Sequence, residues 1–245
     1  MALLCAASLS QAADTPKRPL HFGISAAGSY IGIWHLDDEV FVKKEVYVND
    51  EGENTYREQS LIGGHDLHGF GGSFGVSGLW DFAQNFQLHT NLYLSLRHRY
   101  VDAKEHHKKI ITREDGSVKT ERGSKGTYDI SLSYWHIDFP VSVRYTLPSD
   151  FFVEAGAFAS YIISANLKIK LISLDFQSYA AGMELGTIGG FGKTFDITET
   201  NRLEIFSQFI FGLTPLLNDR VKKYLYDRIR PRDWLIQAGA TFYLF

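Results

Sequence analysis

The chain has 245 residues, a formal net charge of −3 and a mean hydropathy of −0.14. A slightly negative chain favours no nucleic acid or other polyanionic partner, and no run of about 18 apolar residues is available to form a transmembrane helix. The hydropathy is that of a soluble protein, but it leaves open a membrane β-barrel, because half of each spanning strand is polar. The length suits a single all-β barrel.

The N-terminal segment MALLCAASLSQAADTPKRP has the pattern of a secretion signal, with a short apolar stretch followed by small residues. We expect 1–13 to be part of a signal peptide and 14–245 to be the barrel domain. The alternatives are a disordered or buried N-terminal segment, or a lipoprotein in which Cys5 carries the lipid. Leu4 is too large for the residue before a lipoprotein cysteine. Removal of the signal would leave a chain without cysteine.

Eight segments of the chain alternate between apolar and polar residues, which predicts strands whose two faces meet different environments. In the third, FQLHTNLYLSLRHRY, the leucines share one face with Phe86, and His89 and the arginines lie on the other. In the fourth, the apolar set changes phase after Tyr134, which predicts a β-bulge near Trp135–His136. The predicted strands are 20–34, 68–80, 86–100, 127–145, 151–165, 178–191, 202–213 and 233–245.

The lengths of the connections decide which face meets water. Most connections at one end are long and polar, at 35–67, 101–126 and 214–232, whereas those at the other end include turns as brief as 81–85 and 146–150. Short periplasmic turns and long outer loops are typical of outer-membrane barrels. We therefore predict an eight-stranded antiparallel up-and-down transmembrane β-barrel. The residues predicted to face lipid are Leu88, Leu92, Leu94 and Leu96.

Two of the outer loops have hairpin character. Residues 42–59 fold around 49–52, and residues 108–122 carry Asp115-Gly116, a two-residue turn signal. The first four strands are therefore expected to rise above the membrane surface.

Aromatic residues lie near many strand ends, which favours two girdles at the headgroup level over ordinary core packing. The residues assigned to these girdles are Trp34, Trp80, Tyr100, Tyr134, Tyr145, Tyr161, Phe191, Trp234 and Tyr243.

The polar faces of the strands carry charges that would meet inside the barrel. An eight-stranded barrel is only wide enough for side chains to fill, so these acids and arginines should pair into a polar plug. A proton or ion pathway is the functional alternative. The predicted network contains Arg97, Arg99, Arg144, Glu154, Glu184 and Glu204, with Asp129 on the same face.

The outer loops differ in the sign of their charge. Residues 36–66 hold nine acids and three bases, whereas 219–233 hold six bases and three acids. A basic cluster near the outer leaflet could bind lipopolysaccharide phosphates, although ordinary solvated charge explains it equally well. The candidate contacts are Arg220, Lys222, Lys223, Arg228 and Arg230.

Signals for an enzyme are weak. The loop histidines His65, His68, His106 and His107 have no metal-ligand spacing, and there is no nucleophile elbow. We expect no catalytic residues, cofactor or metal. The runner-up is an outer-membrane lipid-modifying hydrolase or acyltransferase with a Ser–His–acid contact at the outer rim. A third hypothesis is a soluble lipocalin-like binder of small ligands, in which the leucines of the third strand would line a cavity.

The stretch WHIDFPVSVRYTLPSDFFVEAGAFASYIISA resembles the PorT-like outer-membrane barrel family through Pro140, Glu154-Ala155-Gly156 and Tyr161. Gly212-Leu213-Thr214 is similar to the Gly-Leu element before the last outer loop of that family. Tyr243-x-Phe245 is similar to the C-terminal signal read by the barrel assembly machinery. The resemblance implies the location and fold, and some relatives assist protein secretion or gliding. We expect a non-enzymatic barrel in the bacterial outer membrane that presents loops to an envelope partner or assists a secretion apparatus.

Overall fold

The computed structural model describes residues 20–34, 39–48, 54–62, 68–113, 117–169, 172–175, 177–198, 200–216 and 232–244, and over β2 and most of β3 it describes the backbone only. Its strands are β1 (Leu20–Trp34), β2 (Glu39–Val48), β3 (Asn54–Ile62), β4 (His68–Ala83), β5 (Phe86–Thr112), β6 (Val118–Thr146), β7 (Phe151–Ile169), β8 (Ile172–Asp175), β9 (Met183–Asp196), β10 (Arg202–Gly212) and β11 (Arg232–Leu244). Within these residues no helix has the length and apolar character needed to cross a membrane.

Eight of the strands close into an antiparallel barrel. Their order around the wall is β1-β4-β5-β6-β7-β9-β10-β11, and β11 pairs with β1 from Phe22↔Leu244 to Trp34↔Arg232. The connections at one end are short: Gln84–Asn85, 147–150 and 197–201. We call this the short-turn end and the opposite one the long-loop end. The prediction of an eight-stranded up-and-down barrel is confirmed.

At the long-loop end, part of the wall continues beyond the barrel as a second structure. β2 and β3 form a hairpin, and β3 pairs with β5 from Asn54↔Thr112 to Ile62↔Lys104. β5 and β6 are 27 and 29 residues long, whereas a membrane-spanning strand needs about 9–11. The four strands β2-β3-β5-β6 therefore make what we call the protruding sheet. The strands of both predicted hairpins lie within it, and the turns between them, at 49–53 and 114–116, lie outside the described residues.

The side chains of the barrel alternate between an exposed outer face and a buried inner face, with one change of phase at a bulge on β7. On β5, Leu92 and Leu94 are 49% and 50% exposed, while the residue between them, Tyr93, is 3% exposed. Leu88 and Leu96 are half-buried on the same outer face. Other large apolar side chains exposed on the outer face are Phe22, Ile24, Phe74, Val76, Ile137, Phe139, Val143, Val153, Leu185, Phe191, Ile205, Phe209, Ile236 and Phe242.

The bulge predicted near Trp135–His136 exists, but it lies on the neighbouring strand. The pairing of β6 with β7 shifts between Trp135↔Ser164 and His136↔Ile162, so Ile163 is the extra residue. β6 keeps its phase, and both Tyr134 and His136 are buried inside the barrel. The change from apolar to polar residues along the inner face of β6 therefore reflects two layers of the lumen and no change of face.

Two further expectations were wrong in detail. The sixth barrel strand covers Met183–Asp196 and not 178–191, because residues 177–179 form a 3₁₀ turn before it. Tyr134 and Tyr243 are fully buried in the lumen, so they belong to no girdle.

Candidate functional site

The lumen holds two clusters of buried charge. All six residues predicted for the lumenal network are buried, and they divide according to height along the barrel axis. Arg97, Arg99 and Glu184 lie toward the long-loop end, in what we call the upper network. Arg144, Glu154 and Glu204 lie toward the short-turn end and form the lower network. Asp129 belongs to neither, because it is exposed on the outer side of β6.

The upper network is built around the guanidinium of Arg97. Its Nη1 lies 3.0 Å from Glu184 Oε2 and 3.2 Å from Asp233 Oδ2, and its Nη2 lies 3.0 and 3.2 Å from the two oxygens of Asp138. Arg99 donates to Asp233 and lies over the ring of Tyr134, 5.3 Å from its centroid. Three carboxylates from three strands thus share two guanidiniums; the Glu184 and Asp233 side chains are almost fully buried, and that of Asp138 is 13% exposed.

The lower network relies more on donors other than arginine. Glu154 accepts hydrogen bonds from His89 Nδ1 at 2.9 Å, Ser142 Oγ at 2.8 Å and Gln208 Nε2 at 2.5 Å. Arg144 Nη1 lies 2.6 Å from Glu204 Oε1, whereas its Nη2 lies 3.6 Å from Glu154 Oε2. The Arg144 guanidinium also lies 3.7 Å from the centroid of the Phe152 ring. These contacts hold the arginine from two sides.

Apolar residues separate the two networks over much of the wall. On β7, β9 and β11 the buried side chains between them are Phe158, Ile188 and Leu235, which cluster with Ile31 and Ile210. Further toward the long-loop end, a second apolar cluster covers the upper network; it contains Tyr134, Ile162, Ala165 and Ala180, with Leu132 against it. The two charged networks are therefore separated by apolar side chains on one side of the lumen and by the polar residues Asn91, Tyr93 and Ser95 of β5 on the other.

Three lumenal charged or titratable residues, Asp138, Asp233 and His89, belong to these networks without having been predicted. The signal for two of them is in the alternation: Asp138 lies between the outward Ile137 and Phe139, and His89 lies opposite the leucine face. Asp233 is the second residue of the last strand, so the sequence alone does not separate it from the basic segment before it.

A buried Ser–His–Asp grouping tests the hypothesis of a hydrolase. His136 Nδ1 lies 2.9 Å from Ser160 Oγ, and the Ser160 hydroxyl donates to Asp138 Oδ1 at 2.5 Å. The serine therefore donates to the acid, whereas a hydrolytic serine must give its proton to the histidine. His136 and Ser160 are at most 1% exposed and face the lumen, so lipid on the outer face cannot reach them. We interpret the grouping as a hydrogen-bond chain that fixes Asp138 for Arg97.

The remaining predictions concern the candidate lipopolysaccharide contacts, the loop histidines and metal binding. The candidate lipopolysaccharide contacts Arg220, Lys222, Lys223, Arg228 and Arg230 lie outside the described residues, as does His65. Among the residues that the structure describes, no group of three or more histidine, cysteine or acidic side chains could hold a metal ion.

The barrel resembles solved outer-membrane proteins at low identity. No protein-family model and no curated protein matches the chain. Ail, the attachment invasion locus protein of Yersinia pestis, is 11% identical, with a TM-score of 0.36, and the match covers 93% of this chain and all of Ail. Neisserial surface protein A is 12% identical, with a TM-score of 0.38, covering 91% of this chain and 98% of the neisserial one. Because these values are low, no shared ligand or partner follows from them.

Proposed function

We propose that this protein is a non-enzymatic β-barrel of the bacterial outer membrane that closes its own lumen and presents the protruding sheet outside the cell. The observation that carries the proposal is the inverted distribution of side chains: exposed apolar residues surround the wall while buried charges fill its interior. A soluble barrel would place those two sets the other way round, because exposed apolar patches of this extent are costly in water.

The filled lumen supports a plug and not an ion pathway. Between the two networks one side of the wall carries the buried apolar side chains Phe158, Ile188 and Leu235, and on the other side Ser25 and Tyr93 are hydrogen-bonded to each other. Burying an unpaired ion against such side chains costs on the order of several kcal/mol. We expect purified protein in planar bilayers to give no steady conductance, and open-channel steps would contradict the plug.

Partners and export are part of the same proposal. The signal segment 1–13 would direct export, the C-terminal strand would be read by the barrel assembly machinery, and lipopolysaccharide would contact the basic outer segments. The protruding sheet carries the exposed cations Lys104 and Arg122, in addition to the basic residues that the sequence contains at 219–233. The resemblance to PorT-like barrels at 135–165 supports assistance to a secretion apparatus as the role of the presented surface.

The orientation of the barrel can be tested by cysteine labelling of intact cells. In a Cys5→Ser background, Thr120→Cys places a thiol on the protruding sheet and Gln84→Cys places one in a short turn; both positions are exposed. A membrane-impermeant maleimide should label Thr120→Cys in intact cells and Gln84→Cys only after the outer membrane is permeabilised. Equal labelling of both, or labelling of neither before permeabilisation, would contradict the proposed orientation.

Membrane insertion has its own measurement. Detergent-extracted protein from fractionated envelopes should migrate faster on a gel when unheated than when boiled, because the closed barrel resists unfolding by the detergent. Recovery of the protein in the soluble fraction without detergent would rule out the proposed location.

A further inference from the structure

A groove on the outer face of the barrel lies close to the short-turn end. It has a volume of about 370 Å³ and is lined by Leu20 of β1, Gly78 and Trp80 of β4, and Leu88 and Thr90 of β5. Cross-strand register explains its shape. Leu20, Trp80 and Leu88 form one row, and Gly78 lies in the next row between Phe22 and Thr90. The missing side chain of Gly78 makes the floor, and bulky neighbours make the walls.

The lining of the groove is apolar throughout. Its one hydroxyl, on Thr90, donates to the carbonyl oxygen of Pro140 at 3.2 Å and so has a partner within the wall. No ionisable side chain lines the groove. Binding of hydrocarbon to a site of this composition is favourable, and a charged or hydrogen-bonding ligand would find no polar partner in it.

The position of the groove indicates the source of that hydrocarbon. An aromatic row follows the short-turn rim, with centroid separations of 5.9 Å from Trp80 to Phe82, 6.3 Å from Phe82 to Phe86 and 5.0 Å from Phe86 to Tyr145. Aromatic residues of membrane barrels lie at the level of the lipid headgroups. The groove extends from this row toward the middle of the wall, which is where the chain of a lipid in that leaflet would lie.

We propose that this groove binds one hydrocarbon chain of a phospholipid from the leaflet at the short-turn end. The inference rests on the proposed membrane location and adds a specific lipid site to it. The hydrocarbon chain would fill the groove above Gly78 and lie against Trp80, which is 49% exposed. Since the recognising contacts are all apolar, the site selects for a chain and not for a headgroup.

Filling the groove with a side chain at Gly78 tests the site without disturbing the lumen. A Cβ added at Gly78 would lie 3.4 Å from Thr90 Cγ2, an ordinary contact, so Gly78→Leu is expected to fold and to occupy the groove. Gly72→Leu is the matched control, because Gly72 is exposed on the same face of the same strand and has only the carbonyl oxygen of Ala27 near its added Cβ, at 3.8 Å.

The measurement uses tryptophan quenching by lipids with brominated chains. Trp80 is kept as the only tryptophan by changing Trp34, Trp135 and Trp234 to Phe, and a Trp135-only variant serves as an exposed reference on the same outer face. In phosphatidylcholine vesicles with a small fraction of brominated lipid, we expect Trp80 to be quenched at least twofold more than Trp135. Gly78→Leu should remove the excess and Gly72→Leu should retain it.

A second measurement keeps all four tryptophans. Native mass spectrometry of protein released from detergent should show one retained phospholipid on the unmodified protein and on Gly72→Leu, and none on Gly78→Leu. Equal quenching of Trp80 and Trp135, unchanged by Gly78→Leu, would overturn the site while leaving the membrane location intact. Quenching of Trp135 without Trp80 would mean that something other than lipid covers the groove, which overturns it too. If neither tryptophan is quenched, the proposed membrane location itself fails.

Discussion

Two ion pairs of similar chemistry occur in very different parts of this molecule. Arg97 and Glu184 meet at 3.0 Å in the lumen, with side chains 3% and 0% exposed, whereas Lys119 and Glu121 meet at 2.7 Å on the protruding sheet, with side chains 58% and 47% exposed. We expect the shorter pair to contribute less to stability, because water solvates both of its partners whether or not they meet. Burial, and not distance, decides what the loss of one partner costs.

The largest effect is therefore expected at Arg97. Arg97→Met leaves Asp138, Glu184 and Asp233 with only Arg99 to offset their charge, and it should lower the free energy of unfolding by about 3–5 kcal/mol. Urea unfolding in lipid vesicles, followed by heat-modifiable migration, measures this loss. The double variant Arg97→Met/Glu184→Gln should lose less free energy of unfolding than the sum of the two single variants, because it also removes one of the carboxylates left unpaired by the loss of Arg97. Stability within 1 kcal/mol of the unmodified protein, a small fraction of the range above, would show that the network does not hold the barrel together.

A substitution at Arg144 compares the lower network with the upper one. Arg144→Met should cost about 3 kcal/mol, the lower end of the range for a broken buried pair, since Glu154 keeps its donors from His89, Ser142 and Gln208. The same unfolding assay should rank Arg144→Met below Arg97→Met. A reversed order would mean that Glu204, whose arginine contact is the shorter one, dominates the lower network.

The outer face of the barrel allows a complementary test, in which a charge is added to an apolar surface and not removed from the lumen. Leu94→Arg puts a charge among the exposed apolar residues of β5 and should destabilise the barrel by about 2–4 kcal/mol in lipid if that face meets the bilayer. Thr120→Arg, at an exposed position on the protruding sheet, is the matched control and should be neutral. If Leu94→Arg were tolerated equally well, the outer face would be facing water.

The sequence predicts the two faces well because the alternation of side chains is local information. Each strand alone shows which residues share a face, and the lengths of the connections show which face is outside. The pairing within the lumen is not local. Asp233 meets Arg97 and Arg99 across the barrel only because of how far each strand is staggered against the next, and that stagger is fixed by registers summed over the whole wall.

The bulge shows the same limit on a smaller scale. The change of pattern after Tyr134 coincides with the height at which the pairing of β6 with β7 shifts, but the extra residue lies on β7. A bulge on β7 leaves the alternation of β6 unchanged, so the pattern of β6 reflects the two layers of the lumen and not the bulge. The sequence of β6 alone therefore predicts that Tyr134 lies on the outer face, whereas its side chain lies in the lumen.

The smallest effect is expected at the exposed pair of the protruding sheet. The hydrogen bond from Lys119 lowers the pKa of Glu121 below its ordinary value, with a further contribution from the charge of Lys109, which lies opposite Glu121 on β5. A depressed folded-state pKa contributes stability above the ordinary value, and that contribution is lost as the pH falls through the lowered pKa. Lys119→Gln should raise the Glu121 pKa, measured by NMR of a ¹³C-labelled carboxyl, without a measurable change in urea unfolding. A loss of stability comparable to that of Arg97→Met would mean that the protruding sheet is held by its surface charges, and the contrast drawn from burial would then be wrong.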